Sequence, residues 1–176
     1  MKYEDIRNQI KDGDIIFVGM IKGDWMHKVV RFVTKSEYVH AGIAFWMKSE
    51  NGTDRLFIVE AHGGGRRIVS LSSYSSRRIL VVGNEMVPWS KIEPVALDKT
   101  GVVPYGYLDY IEVGLHELFG CKIRDYRGEI CSEAVAKIIK EAGYSDMRDV
   151  VVSPGQLLRD LVSATGFTIK CETDPT

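Results

Sequence analysis

Two runs rich in aromatic, aliphatic and β-branched residues, Tyr38 to Trp46 and Arg55 to Ala61, stand on either side of an Asn51-Gly52 pair. Runs of this composition bounded by a turn signal read as neighbouring strands, here antiparallel. This hairpin constrains the chain more than any other feature, because a sheet must bury at least one face. With a period of two, Val39, Ala41, Ile43 and Phe45 form the core face of the first strand. Tyr38, His40, Gly42 and Ala44 share the other face, which is expected to look onto open space. On the second strand Leu56, Ile58, Glu60 and His62 lie on one face. Glu60 is therefore an acid inside an apolar row, and needs a partner if it is buried.

Weaker patterns surround the hairpin. Tyr3 to Lys11 reads as a short amphipathic helix, with Ile6 and Ile10 on one face. Asp12-Gly13-Asp14 is a turn signal, followed by a short apolar strand from Ile15 to Val18. Asp24 is a candidate N-cap for a helix to about Val33. The Ser-rich stretch from Ser70 to Ser76 reads as a turn region, and Ile79 to Val82 as another strand. Leu108 to Leu118 looks helical. Cys131 to Ala142 is a strong helix stopped by Gly143, and Ser153-Pro154 opens a further helix through about Ser163. Phe167 to Lys170 closes the pattern as a strand, and residues 171–176 are expected to fray. The sum is an α+β arrangement, and 176 residues fit one domain, 1–176, at about 150 residues per domain.

Charge excludes some functions. Lys plus Arg is 23 against 24 for Asp plus Glu, without the basic excess of a nucleic-acid-binding domain. No apolar run approaches the roughly 18 residues of a membrane span. The opening MKYEDIRNQIKDGD has no apolar signal core, so a cytoplasmic location is expected. In that setting the Asn51-Gly52-Thr53 sequon reads as a polar loop. No P-loop pattern occurs, and His62-Gly63-Gly64-Gly65 has no G-x-S-x-G to accompany it, so it reads as a tight turn. No pair of Cys or His has zinc-site spacing, so neither metal nor cofactor is expected. Arg66-Arg67 and Arg77-Arg78 read as solvated pairs which, near a cleft, could hold a substrate carboxylate.

Three cysteines are too few for a disulfide scaffold, and the odd number leaves at least one thiol free. Cys131 opens a helix, where unpaired backbone N–H groups and the positive end of the dipole favour a thiolate and can bind an oxyanion. Cys121 in a loop and Cys171 near the end lack that setting. A catalytic cysteine needs a base, for which the chain offers His27, His40, His62 and His116. His40 on the central strand, with Glu60 on its neighbour to orient it, completes a nucleophile, base and orienter set with Cys131. His62 is the rival base, though it fits better as the start of the glycine turn. Tyr105, Tyr107 and Tyr110 could line a groove or fill a core.

Asp12-Gly13-Asp14-Ile15-Ile16-Phe17, the cluster Thr34, Ser36, Tyr38, His40, Gly42, Ile43, then Val59-Glu60-Ala61, and finally Cys131-Ser132-Glu133 form an ordered set. In that order the sequence resembles the YiiX-like permuted papain-fold cysteine amidases, circularly permuted relatives of the NlpC-type cell-wall peptidases. Tyr105-Gly106-Tyr107 and Ser153-Pro154 also match the spacing, and the likeness covers roughly residues 12 to 160. It implies a papain-like α+β fold in which a small antiparallel sheet or barrel packs against the nucleophile helix. It also implies catalytic roles for Cys131, His40 and Glu60, with Tyr38 and Tyr105 near the substrate.

The expected function is cleavage of an amide bond in a small molecule, peptide or cell-wall fragment through an acyl-enzyme. A lipid-directed thioesterase or acyltransferase could use the same three residues. A catalytically silent binding module on the same fold is the alternative from another class.

Overall fold

The computed structural model describes residues 1–20, 36–49, 52–62, 65–98, 100, 130–148 and 153–174. The described elements are α1 (Tyr3–Arg7), β1 (Ile15–Gly19), β2 (Tyr38–Met47), β3 (Arg55–His62), β4 (Gly65–Ser70), a 3-10 turn (Leu71–Tyr74), β5 (Ile79–Asn84), α2 (Trp89–Asp98), α3 (Cys131–Glu141), α4 (Pro154–Ser163) and β6 (Phe167–Glu172). The strands form one six-stranded sheet in the order β4-β3-β2-β1-β5-β6. Every neighbouring pair is antiparallel. The architecture is α+β. The hairpin expected from the sequence is present, with Ala44 opposite Ile58 and Gly42 opposite Glu60.

Both faces of the sheet are covered. Ile15, Phe17, Ala41, Ile43, Phe45, Val59 and Val82 pack against residues of α2, α3 and α4, among them Ile92, Val135, Ile139 and Leu161. Ile16, Val18, Ala44, Leu56, Ile58 and Val81 pack against Tyr3, Ile6, Ile10 and Leu71. This is why β1 is apolar without alternation: all five of its residues are buried. It also corrects the expectation of an open face on β2, where Gly42 and Ala44 are buried.

Strict alternation fails within β2. Val18 pairs with His40 but Gly19 pairs with Tyr38, so Val39 is an extra residue in β2. A bulge re-aims the side chains around it. Tyr38, expected on the same face as His40, instead joins the helix-covered core and meets Phe17 edge-on at 6.1 Å between centroids.

The helix termini follow the sequence signals. Ser153 Oγ accepts the Gln156 N–H at 3.2 Å ahead of Pro154, and Gly143 takes φ +117° after α3. Three expectations are corrected. α1 stops at Arg7 rather than Lys11, although Ile10 is still buried. Of the segment expected to fray, residues 171–174 are built in: β6 runs through Glu172, Cys171 is buried, and Thr173 N–H and Oγ1 bond Ile79 of β5. Arg66, read as solvated, is 1% exposed and donates to the Val95 carbonyl of α2. β4 and α2 had no sequence forecast. β4 carries two arginines, and α2 contains Pro94, so neither has a clean pattern. The helices expected at 24–33 and 108–118, with His27, His116, Cys121, Tyr105, Tyr107 and Tyr110, lie outside the described residues. No described helix is long and apolar enough to cross a membrane.

The Asp12-Gly13-Asp14 turn joins several strands. Gly13 has φ +87°, and its N–H donates to Ala44 O. Asp12 Oδ1 accepts Trp46 N–H at 2.6 Å. Asp14, 1% exposed, accepts Lys170 Nζ of β6 at 2.7 and 2.9 Å, Lys11 N–H at 2.8 Å and Asn84 N–H at 3.4 Å. Removing one partner of a buried ion pair costs roughly 3–5 kcal/mol. Lys170 keeps 22% of its side chain exposed and can rehydrate, which favours the lower end. Asp14→Ala is therefore expected to lower the unfolding free energy by about 3 kcal/mol in urea titration with an unchanged slope. A loss within experimental error of zero would mean that the ion pair does not hold β6 to the turn.

Candidate active site

The sheet and α3 bring Cys131, His40 and Glu60 together. α3 is amphipathic and lays Val135, Ala136, Ile138 and Ile139 on the core shared with β2 and β3. Its first residue is Cys131, 4% exposed. The preceding Ile130 is extended (φ −77°, ψ 157°) and has no side-chain acceptor to offer the helix. The first intrahelical bond runs from Ala134 N–H to Ile130 O at 2.8 Å. The N–H groups of Cys131 to Glu133 precede that bond and have no carbonyl of their own helix to donate to.

His40 is 7% exposed, beside the β2 bulge. Its Nε2 lies 2.7 Å from Glu60 Oε2, and the ring is also hydrogen-bonded to the Cys131 thiol. With Nε2 occupied by Glu60, Nδ1 is the nitrogen left for sulfur. Glu60 has no exposed side-chain surface. Its Oε1 accepts Arg67 Nε at 2.9 Å, and the Tyr74 hydroxyl stands 3.0 and 2.9 Å from its two oxygens. The His-x-Gly spacing has a steric reason: a Cβ on Gly42 would fall 2.8 Å from Val59 O and 3.4 Å from Glu60 Cβ. Gly42 lets β3 approach closely enough to bring Glu60 to His40.

Electrostatics follow the contacts. Burial lowers the His40 pKa, but the charge and hydrogen bond of Cys131, with those of Glu60, outweigh it and raise the value to about 10. For Glu60, burial pushes upward, and the His40, Arg67 and Tyr74 contacts more than reverse it, so the carboxyl is held below its ordinary value. The Tyr74 hydroxyl is pushed up to about 12, chiefly by burial and then by the charge of Glu60.

The other sequence candidates sit elsewhere. Tyr38 donates its hydroxyl to Glu172 of β6, and its ring packs against Phe17 in the helix-covered core. Backbone pairing sets His62 opposite Gly65 at the β3–β4 turn. Cys171 is buried in β6, and that burial raises its thiol pKa. Of the arginine pairs, Arg67 binds Glu60, Arg78 pairs with Glu37, and Arg77 lies 5.4 Å from the centre of the Tyr74 ring. Arg67 was read as a solvated arginine or a hold for a substrate carboxylate, not as a partner of Glu60, and Tyr74 was not among the candidates. Tyr74 had one faint signal, its spacing of three from the apolar Leu71 within a Ser-rich turn.

No family model and no curated protein matches the chain. Among solved structures it is similar to the crystal structure of the metalloprotein YiiX from Escherichia coli O157:H7 (DUF1105), with a TM-score of 0.62 and 18% identity over 95% of this chain and 99% of that one. The fold is YiiX-like. The three residues do not suit a shared metal ion: Glu60 is bonded directly to Nε2 of His40 rather than converging with it on a common point. Among the described residues no three His, Cys, Asp or Glu side chains gather as ligands.

A raised folded-state value means that His40 adds stability in full below its unfolded pKa of 6.5 and loses it as the pH climbs through about 10. Nitrogen-15 NMR of the imidazole is expected to give a midpoint near 10, moving down in Cys131→Ala because the leading upward influence is gone. A wild-type midpoint at or below 6.5 would show that the three groups are not coupled.

Proposed function

We propose that the protein is a cysteine hydrolase that cleaves an amide bond through an acyl-enzyme, on a circularly permuted papain-like fold. The observation that carries this reading is the placement of His40 between the Cys131 thiol and the Glu60 carboxylate. A base with a buried acid on one nitrogen and a thiol on the other is the arrangement that nucleophilic catalysis requires. The YiiX-like fold and the His, Glu, Cys order along the chain add to it.

In this mechanism the Cys131 proton moves to His40, and sulfur attacks the amide carbonyl carbon. The oxyanion is held by the Cys131 N–H and one further donor. Collapse of the tetrahedral intermediate breaks the C–N bond, and the leaving amine takes the proton from His40. Water then attacks the thioester with His40 as base, the C–S bond breaks, and the carboxylic acid leaves as the thiol is restored. Glu60 stays ionised throughout and orients the ring. The substrate is a peptide, a peptidoglycan stem or an N-acyl amino acid, with Tyr105 as a contact.

Limiting iodoacetamide near pH 6, followed by peptide mapping, is expected to modify Cys131 ahead of Cys121 and Cys171, and His40→Gln should abolish the preference. Preferential modification of either other cysteine would sink the assignment. With an amide substrate in hand, Cys131→Ala is expected to remove turnover, and His40→Ala to lower kcat by at least about a thousandfold. Turnover of acyl-thioesters without cleavage of any amide would replace the amidase by a thioesterase or acyltransferase. Wild-type turnover unchanged in Cys131→Ser would rule out cysteine catalysis.

A further inference from the structure

We infer that Arg67 and Tyr74 are positioning residues of this site, acting through Glu60 to keep His40 turned toward Cys131; the inference rests on the catalytic reading above. A carboxylate has about four lone-pair positions to fill. Oε1 of Glu60 accepts from Arg67 Nε at 2.9 Å and Nη2 at 2.8 Å, while Oε2 faces His40 Nε2 at 2.7 Å. The Tyr74 hydroxyl lies within 3.0 Å of both oxygens. Arg67 and the Tyr74 hydroxyl come to the carboxylate as donors, so a proton on either oxygen would point at another hydrogen. The cluster favours the ionised form and holds it in one orientation.

Each residue is set by its own element. Arg67 is directly opposite Glu60 in the β3–β4 pairing. Tyr74 ends the 3-10 turn, which the fully buried Leu71 anchors in the α1-covered core. The Tyr74 ring also stands 6.0 Å from the His40 ring, tilted by 37°, so it bounds the imidazole as well as the acid. The charged and titratable groups around the carboxylate are His40 from β2, Arg67 from β4 and Tyr74 from the turn. Arg77 lies behind Tyr74, and Cys131 of α3 lies beyond the imidazole.

Both donors stabilise the ionised acid, so losing either lets Glu60 take up a proton at higher pH. His40 then loses the charge that favours its imidazolium, and sulfur becomes less nucleophilic on the acid side. The test is the rate of Cys131 alkylation by iodoacetamide against pH in the full chain, with thermal melting as the control for folding. In Tyr74→Phe and in Arg67→Met the acid-side midpoint is expected to move up by about half a pH unit or more, the size of one net hydrogen bond. Arg67→Lys, which keeps the charge and one donor, should move it less than Arg67→Met.

Acid midpoints that match the wild type in both variants, with melting alike, would overturn the positioning role and leave the network a structural one. If Tyr74→Phe does not fold, the Arg67 pair decides, since that side chain is 47% exposed and its loss leaves no cavity. Failure of the catalytic reading looks different, because there Cys131 would not be the preferred thiol of the wild type at any pH.

Discussion

Glu60 extends the apolar row of Leu56 and Ile58 with a side chain that has no solvent exposure. An uncompensated charge in such a place carries a penalty of several kcal/mol, so the surrounding structure has to answer it. The answer comes from three elements at once: the imidazole on β2, the guanidinium on β4 and the phenol at the end of the 3-10 turn. Gly42 follows from the same constraint, since a side chain there would hold β3 away. So does the hairpin register, because a shift of one residue would turn Glu60 into the opposite core. The geometry of the candidate site is thus largely the solution to one buried charge.

Asp14 is another answered charge beside the sheet, and its role differs. Its partners are two backbone N–H groups and a lysine ammonium, and together they join the starts and ends of strands. No thiol or imidazole is among these contacts. Glu60 instead passes its charge to a titratable ring with a second nitrogen available. The difference lies in the partner: a lysine stays a fixed cation, whereas an imidazole can gain or lose a proton.

Much of this was legible in the residues. The hairpin, β1, β5, α3 and α4 followed from apolar period and from caps such as Ser153-Pro154 and Gly143. The Cys131, His40 and Glu60 set followed from a helix-start cysteine, a histidine beside a glycine and an acid in an apolar row. What could not be read depended on contacts distant in sequence. Arg66 and Arg67 are adjacent and look alike, yet one is buried against α2 and the other half exposed on Glu60. Only the pairing of β4 with β3 separates them. Tyr38 was placed on the His40 face by period two, and the extra residue Val39 moved it to the other core. The last residues of the chain look polar, but β6 places Phe167 in the helix-covered core and, beyond a bulge, Cys171 in the α1-covered core.

The imidazole also decides between two chemistries that the same residue types could support. Cysteine, histidine and glutamate are all metal ligands, and a converging set would read as a metal centre. Here the acid is bonded directly to Nε2 of the imidazole, so the two do not converge on one ion. The imidazole can accept a proton on the sulfur side while the carboxylate stabilises the resulting charge from the other. The line of three groups therefore suits proton transfer, and the first N–H groups of α3, which have no carbonyl of their own helix to meet, start at the cysteine, where an acyl oxygen would develop its charge.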